Sequence, residues 1–255
     1  MIVALFGDVH GNLGGMYGLC RAWEDENGEK IDLVLQTGDM GLFRTREELD
    51  TATRRLLLKD PTELGGAPYL SGSTRVPVET WFVHGNHENY SLLREREGAA
   101  CDPGGRLIFL GTGSVRVFRK GEGVISVAAM GGMEYRFGKY PTPTDERIQK
   151  YLHGPSILKF TQNTFATDIL LLHDAPLNKG LKRRFPTGSS RVTRLIEKLQ
   201  PRFAFYGHYN DPPEPFMIGR TLCACLNHTG ARRIPGRDGA MGILTTATWV
   251  FVYVE

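Results

Sequence analysis

Short runs of apolar and β-branched residues recur along the chain, and each ends in a small or polar residue. The clearest runs are Ile2 to Phe6, Ile31 to Leu35, Trp81 to Val83 and Ile169 to Leu172. Each run predicts a buried strand that delivers polar side chains at its carboxyl end. Helical patterns lie between them, over Leu13 to Trp23, Arg46 to Lys59 and Tyr90 to Glu97. This alternation of strand and helix predicts an α/β fold.

Further along the chain, apolar runs follow one another closely and are separated by glycine-rich turns. They are Leu107 to Leu110, Val115 to Phe118, Val124 to Met130, Phe216 to Ile218, Thr221 to Leu226, Gly242 to Thr246 and Trp249 to Val254. Two packed mixed β-sheets, flanked by helices, account best for these runs. No break in composition divides residues 1–255, which predicts a single domain. Thr62 to Arg75 and Phe137 to Thr144 are predicted to be surface loops.

Composition narrows the classes of partner and compartment. The 31 basic and 28 acidic residues give a net charge of +3, too balanced to imply nucleic-acid binding from charge alone. Four cysteines in a chain of this length are too few for a disulfide framework and favour a reducing, cytoplasmic setting. The first apolar run lacks the features of a signal peptide. Because no run approaches the roughly 18 apolar residues of a spanning helix, no membrane association is expected.

Five polar clusters stand at positions where strands of such a fold should end. They are Gly7-Asp8-Val9-His10-Gly11, Gly38-Asp39-Met40, Gly85-Asn86-His87-Glu88, His173-Asp174 and Gly207-His208-Tyr209-Asn210. The carboxyl ends of strands in an open α/β sheet converge on one crevice, so these groups can meet. Carboxylate, imidazole and amide groups together suit manganese, iron or zinc better than calcium. Two neighbouring ions need a bridging carboxylate, and Asp39 is the candidate.

In order and spacing, the five clusters resemble the motifs of the calcineurin-like metallophosphoesterases. The resemblance runs from residue 8 to about residue 210 and implies a four-layer sandwich with a binuclear centre. Two divalent ions are expected, Mn²⁺ foremost, with Fe²⁺ or Zn²⁺ as alternatives. The resemblance assigns one ion to Asp8, His10 and Asp39, and the other to Asp39, Asn86, His173 and His208. It assigns His87 a catalytic role, which is to protonate the leaving oxygen or stabilise charge on the phosphate.

The last motif departs from the family pattern, because Asn210 stands where a second histidine should complete the first ion's site. Asn210 could still ligate through its amide oxygen. Alternatively, His228 from the following segment could reach the site. The sequence leaves both possibilities open.

Segments between the motifs resemble the catalytic domain of the RNA lariat debranching enzymes. They are Asn89 with the Leu92-Leu93 pair, Leu107 to Gly111, Gly131-Gly132 leading to Tyr135-Arg136, and His173-Asp174-Ala175-Pro176. Debranching enzymes typically carry cysteine where Asp8 stands, so the substrate of this chain need not be a lariat. A basic run from Lys179 to Arg184 follows His173 and could rim the crevice against phosphates.

The sequence therefore predicts a metal-dependent phosphoesterase, in particular a phosphodiesterase, acting on a nucleotide or an RNA or DNA phosphoester through a metal-activated water. The alternative is a phosphoesterase fold that has lost turnover and serves as a scaffold binding RNA or phosphate. The sequence predicts no oligomeric state.

Overall fold

A computed structural model describes residues 1–49, 51–58, 61–135, 149–152, 166–177, 188–209, 214–229 and 240–254. The strands within these ranges are β1 (Ile2–Phe6), β2 (Leu33–Gln36), β3 (Thr80–Phe82), β4 (Leu107–Phe109), β5 (Val115–Lys120), β6 (Gly123–Met130), β7 (Ile169–Leu172), β8 (Phe203–Tyr206), β9 (Phe216–Ile218), β10 (Thr221–Cys225), β11 (Met241–Thr245) and β12 (Val250–Val254). The α-helices are α1 (Leu13–Asn27), α2 (Thr51–Leu57), α3 (Ala67–Ser71), α4 (Tyr90–Glu95) and α5 (Ser190–Leu199). None of the helices in these ranges combines the length and the apolar character needed to cross a bilayer.

The described strands form two mixed six-stranded sheets, ordered β12-β11-β1-β2-β3-β4 and β5-β6-β7-β8-β10-β9. Strands β1 to β4 pair in parallel, as do β6, β7, β8 and β10, whereas β11, β12, β5 and β9 each pair antiparallel. Parallel strands present their carboxyl ends along one edge of a sheet. Each sheet therefore has one end, at the carboxyl termini of its parallel strands, where the residues that follow several strands can meet.

Three apolar layers separate the two sheets and the helices. Along β1, Val3 and Leu5 pack between the sheets, whereas Ala4 and Phe6 pack against the side that carries α1. This alternation follows from the two-residue period of a strand buried on both faces. The third layer lies between the second sheet and α5, which contributes Leu195 among others. The predicted two-sheet α/β sandwich with helices outside both sheets is confirmed.

Capping side chains fix where the two longest helices begin. Asn12 precedes α1, and its side chain accepts a hydrogen bond from the N–H of Gly15. Ser189 precedes α5 and accepts from the N–H groups of Arg191 and Val192. Both contacts satisfy N–H groups that have no partner in the first turn of a helix.

The segment between β2 and β3 differs from its prediction. The single helix expected over Arg46 to Lys59 is instead a 3-10 helix, Arg46–Glu48, followed by α2. The loop expected over Thr62 to Arg75 contains most of a second 3-10 helix, Pro61–Leu64, and all of α3. Proline near the start of α3 and Gly72 after its end set its short length. The loop predicted over Phe137 to Thr144 lies outside the described residues.

Candidate metal centre

Five strand ends deliver the polar side chains to one place between the sheets. Asp8 and His10 follow β1, Asp39 follows β2, Asn86 and His87 follow β3, His173 follows β7, and His208 follows β8. Hydrogen bonds join the two sheets here, because the N–H of His208 donates to Asp8 Oδ1 over 2.8 Å. The site is therefore built from the carboxyl ends of strands in both sheets, as expected for a ligand crevice in α/β proteins.

Two groups of side chains can each converge on a cation, and they share Asp39. Asp8, His10 and Asp39 form the first cluster, and Asp39, His173 and His208 form the second; within each cluster the ligand atoms lie within 4.8 Å of one another. Asp39 Oδ2 lies 3.7 Å from Nε2 of His10 and 3.8 Å from Nε2 of His173. One carboxylate oxygen thus stands between an imidazole of each cluster.

Asn86 lies beside the second cluster. Nδ1 of His173 lies 2.9 Å from the carbonyl oxygen of Thr37, and a neutral ring that donates there carries its lone pair on Nε2. That Nε2 lies 3.1 Å from Asn86 Oδ1. Two acceptors that face each other at this distance suit a cation bound by both.

Backbone conformation at this site is unusual. His10, Asp39 and His208 adopt φ values of 48°, 55° and 66°, in the left-handed region that few side chains occupy. Such conformations cost about 1–3 kcal/mol each and persist where the surrounding structure enforces them. The N–H groups of Val9 and His10 both donate to the carbonyl oxygen of Asp39, at 3.0 and 2.8 Å, which holds two of the turns together.

Gly85 lies directly against the shared carboxylate. A Cβ atom at this position would lie 2.0 Å from Asp39 Oδ1 and 2.4 Å from the Asp39 nitrogen. The same Oδ1 accepts a 2.7 Å hydrogen bond from the N–H of His87. The absence of a side chain at Gly85 therefore allows the loop after β3 to reach the carboxylate.

Opposite charges hold Asp39 ionised although the residue is 1% exposed. Burial by itself raises the pKa of Asp39, but the neighbouring imidazoles, that of His173 foremost, hold the pKa well below its usual value. Burial lowers the pKa of His10, but the Glu63 carboxylate and then Asp39 outweigh burial and raise the pKa to about 9. The site therefore favours positive charge, which is the condition that a cation-binding centre needs.

Glu88 ties the loops after β2 and β3 together. Its carboxylate accepts hydrogen bonds from the N–H groups of Met40, Gly41 and Gly85, at 3.0, 3.3 and 3.2 Å. Burial and the nearby Asp39 raise the pKa of Glu88 to about 7, against the effect of those donors. The residue supports the backbone that carries Asp39 and Asn86.

His87 is half-buried beside the first cluster, with its ring centroid 5.7 Å from that of His10. Its Nδ1 lies 3.2 Å from Oγ1 of Thr53, a buried residue on α2. Sequence reasoning missed Thr53, and it also missed Glu63, which lies 3.5 Å from His10. Both belong to the segment between β2 and β3: Thr53 lies within the helical pattern predicted over Arg46 to Lys59, which assigns it no functional role, and no motif marks Glu63.

Asn210 and the basic run from Lys179 to Arg184 lie outside the described residues. His228 lies within them, and its ring stacks on the ring of His10 with centroids 4.8 Å apart and planes inclined by 16°. Of the basic residues beyond that run, Arg191 lies 3.7 Å from the carboxylate of Glu134. The structure thus brings His228 to the first cluster.

Comparison with known proteins identifies the family to which this arrangement belongs. The sequence profile of the calcineurin-like phosphoesterases matches residues 1–211. The chain belongs to the calcineurin-like phosphoesterase family. The family predicted from the sequence motifs is therefore confirmed.

The curated relatives of this calcineurin-like phosphoesterase include lariat debranching enzymes. The chain is 27% identical to that of Arabidopsis thaliana over 235 residues, which cover 82% of this chain and 54% of the relative. It is 29% identical to that of Drosophila pseudoobscura pseudoobscura over 263 residues, which cover 94% and 46%. The chain spans about half the length of the curated relatives it matches.

Solved structures agree on the fold of this calcineurin-like phosphoesterase. The protein TT1561 of Thermus thermophilus matches with a TM-score of 0.60 and 14% identity, over 100% of this chain and 98% of that one. A dimetal phosphatase from Danio rerio matches with a TM-score of 0.54 and 14% identity, over 95% and 91%. At these identities the likeness concerns the fold alone. Divalent metal ions are implied by the family, and the clustered aspartate and histidine side chains fit them.

Proposed function

We propose that this chain is a phosphodiesterase that hydrolyses a nucleotide or nucleic-acid phosphoester at a binuclear centre. The observation that carries the proposal is the position of Asp39 Oδ2, within 3.8 Å of an imidazole nitrogen in each ligand cluster. An ionised carboxylate can bind two cations at once, which an amide or an imidazole cannot do. The relatives named as lariat debranching enzymes support the nucleic-acid substrate.

Six residues are assigned to the metal ions in this proposal, and a seventh ligand is one of two candidates. Asp8, His10 and Asp39 hold the first ion, with Asn210 or His228 as a further ligand, and Asp39, Asn86, His173 and His208 hold the second. Carboxylate, amide and imidazole groups together favour Mn²⁺, with Fe²⁺ or Zn²⁺ as alternatives. Bound there, divalent ions lower the pKa of a water molecule and neutralise charge on phosphate oxygens.

His87 handles the proton of the leaving group. When water adds to phosphorus and the ester P–O bond breaks, the departing oxygen takes a proton, and His87 supplies it. Because Nδ1 contacts Thr53, we assign the transfer to Nε2. The hydrogen bond from the His87 N–H to Asp39 Oδ1 fixes the backbone of the acid relative to the shared carboxylate.

A cavity beside the centre suits a nucleoside. It is an open cavity of about 200 Å³, and its lining includes the residues His84, Tyr90 and Phe109 together with Arg94 and Glu97. The Tyr90 hydroxyl donates to the carbonyl oxygen of Gly85, so the cavity wall is one hydrogen bond from the loop that touches Asp39. Aromatic rings stack on bases of any sequence. This cavity favours a diester with a nucleoside on one side of the phosphorus.

The proposal is tested by metal analysis and hydrolysis on one preparation. Purified protein is loaded with Mn²⁺, Fe²⁺ or Zn²⁺, the bound metal is counted, and the release of p-nitrophenol from bis-p-nitrophenyl phosphate is followed. Dinucleotides joined by 2′,5′ and 3′,5′ bonds are then compared with the monoester p-nitrophenyl phosphate. Asp39→Ala serves as the inactive control, and Asp102→Asn, a buried carboxylate in a turn after α4, serves as the structural control.

We expect two metal ions per chain and faster hydrolysis of diesters than of the monoester. One ion per chain with turnover would contradict the binuclear assignment. Binding of RNA without hydrolysis under any of these metals would instead favour the scaffold alternative.

We also propose a reducing, cytoplasmic location and one domain over residues 1–255. Cys20, Cys101, Cys223 and Cys225 are all buried free thiols, which supports the first proposal. Burial raises the pKa of Cys20 and of Cys101 to about 12, so neither thiol is poised for oxidation. The apolar layer shared by both sheets supports the second proposal.

A further inference from the structure

Glu63 is a buried carboxylate outside the motifs of the family. It lies on the 3-10 helix Pro61–Leu64 and is 3% exposed. This helix packs on the residue that follows His10, because a Cβ atom on Gly11 would lie 2.3 Å from the carbonyl oxygen of Thr62. Gly11 has a φ of 79°, a conformation that favours glycine. Because glycine has no side chain, the 3-10 helix can also approach the turn after His10 closely. The carboxylate therefore reaches His10 by backbone packing.

The two edges of the His10 ring face two different carboxylates. Oε1 of Glu63 lies 3.5 Å from Nδ1, and Oδ2 of Asp39 lies 3.7 Å from Nε2. Nε2 is thus on the side of Asp39, the carboxylate shared by both clusters, and Glu63 does not belong to the cluster of Asp8, His10 and Asp39. Glu63 therefore contacts the side of the ring that is turned away from the ligand atoms.

The remaining contacts restrict how the ring can turn. His228 stacks on one face of the His10 ring at 4.8 Å, and the ring of His87 is inclined to it at 5.7 Å. Within the described residues, neither the second oxygen of Glu63, Oε2, nor Nδ1 of His10 has a hydrogen-bond partner. The approach of Oε1 to Nδ1 at 3.5 Å therefore brings a buried carboxylate next to a buried ring nitrogen that has no hydrogen-bond partner within those residues.

We propose that Glu63 is a positioning residue that holds His10 as the Nε2 ligand of the first metal site. The inference rests on the metal centre of the proposed function and names a residue of that site to which the sequence motifs assign no role. A small shift that closes the 3.5 Å gap would let Glu63 accept the proton of His10 Nδ1, and that hydrogen bond would fix the tautomer with the lone pair on Nε2. The negative charge also makes the imidazole a stronger ligand. A site whose closing histidine is replaced by Asn210 gains most from such support.

Mn²⁺ affinity tests the inference. Metal-free protein is titrated with Mn²⁺ and the free ion is followed by electron paramagnetic resonance, for the wild type, Glu63→Gln and Glu63→Ala. Loss of a partner that orients a histidine ligand costs about 10–100-fold in metal affinity. We expect that loss at the first site in Glu63→Ala and a smaller loss in Glu63→Gln, whose amide oxygen still accepts the Nδ1 proton.

The same substitution in a His10→Ala background separates positioning from other roles. If Glu63 acts through His10, Glu63→Gln changes Mn²⁺ affinity in the wild-type background and leaves it unchanged without the imidazole. Equal losses in both backgrounds would overturn the inference, because Glu63 would then bind the ion or support the fold by itself. Unchanged affinity in the wild-type background would overturn it as well.

Two further measurements guard against a loss of folding. Thermal unfolding without metal is compared with that of Asp102→Asn, which removes a buried carboxylate charge outside both ligand clusters and should leave Mn²⁺ affinity unchanged. The visible absorption of the Co²⁺-loaded protein should shift in Glu63→Gln, and an unshifted spectrum would contradict the inference. Since turnover is not measured, a wild type that binds Mn²⁺ without hydrolysing diesters would refute only the proposed function.

Discussion

The two ligand clusters share Asp39, but their histidines are held in different ways. In the second cluster, His173 is fixed by a main-chain carbonyl group, that of Thr37, within the framework of the sheets. In the first cluster, the His10 ring is contacted by a side chain, Glu63, on a 3-10 helix between β2 and β3. The second cluster is therefore held by the framework of the sheets, whereas the first cluster also depends on the segment between β2 and β3. We therefore expect the first cluster to be easier to perturb by substitution than the second.

The largest effect is expected from Asp39→Ala, which removes the carboxylate that both clusters share. Loss of a general acid costs about 100–10,000-fold in rate, and loss of Asp39 should exceed that because it disrupts the binding of both ions. Hydrolysis of bis-p-nitrophenyl phosphate and metal content measure the effect. A variant that keeps one firmly bound ion and most of its activity would show that the clusters work independently.

The next effect concerns His87→Ala, which should separate metal binding from turnover. We expect kcat to fall about 100–10,000-fold while both clusters keep their metal. The fall should be larger for a dinucleotide than for bis-p-nitrophenyl phosphate, because nitrophenolate leaves without needing a proton. Equal losses for the two substrates would argue against His87 as the acid.

Metal removal should show how much each cluster contributes to thermal stability. At a Mn²⁺ concentration 100 times its Kd, binding stabilises the folded state by about 2.7 kcal/mol, so a chelator should lower Tm. We expect His173→Ala to abolish more of this shift than His10→Ala, since His173 belongs to the half held by the sheets. Calorimetry with and without Mn²⁺ measures these shifts. A larger loss in His10→Ala than in His173→Ala would show that the first cluster binds the metal more strongly than the second.

The smallest effect is expected at the edge of the cavity beside the centre. Arg94→Ala removes an exposed cation from the cavity lining, and exposed ion pairs contribute up to about 1 kcal/mol. The KM for a dinucleotide should rise by at most about 5-fold, with bis-p-nitrophenyl phosphate unaffected. Arg96→Ala, an exposed residue at the end of α4, is the matched control. An equal rise of KM in both variants would show that the cavity does not contribute to binding of the dinucleotide.

The sequence predicted the second cluster better than the surroundings of the first. The apolar runs before Asp39 and His173 carry their own signal, because burial and strand direction together place those residues at the carboxyl ends of the strands, and His208 was found from its motif. Glu63 and Thr53 carry no such signal, since they lie in short helices whose packing is decided by contacts far away in the sequence. The helix predicted over Arg46 to Lys59 was wrong for the same reason, as two short elements fill that stretch.

Gly85 limits how this sequence can change over time. Its φ lies outside the left-handed region, so backbone freedom does not explain why glycine occupies the position. The space that alanine would need is instead taken by an oxygen of the carboxylate that both clusters share. Substitution at Gly85 would therefore act like the loss of a ligand although no ligand is removed. We therefore expect that no other residue is tolerated at position 85 as long as both clusters use the Asp39 carboxylate.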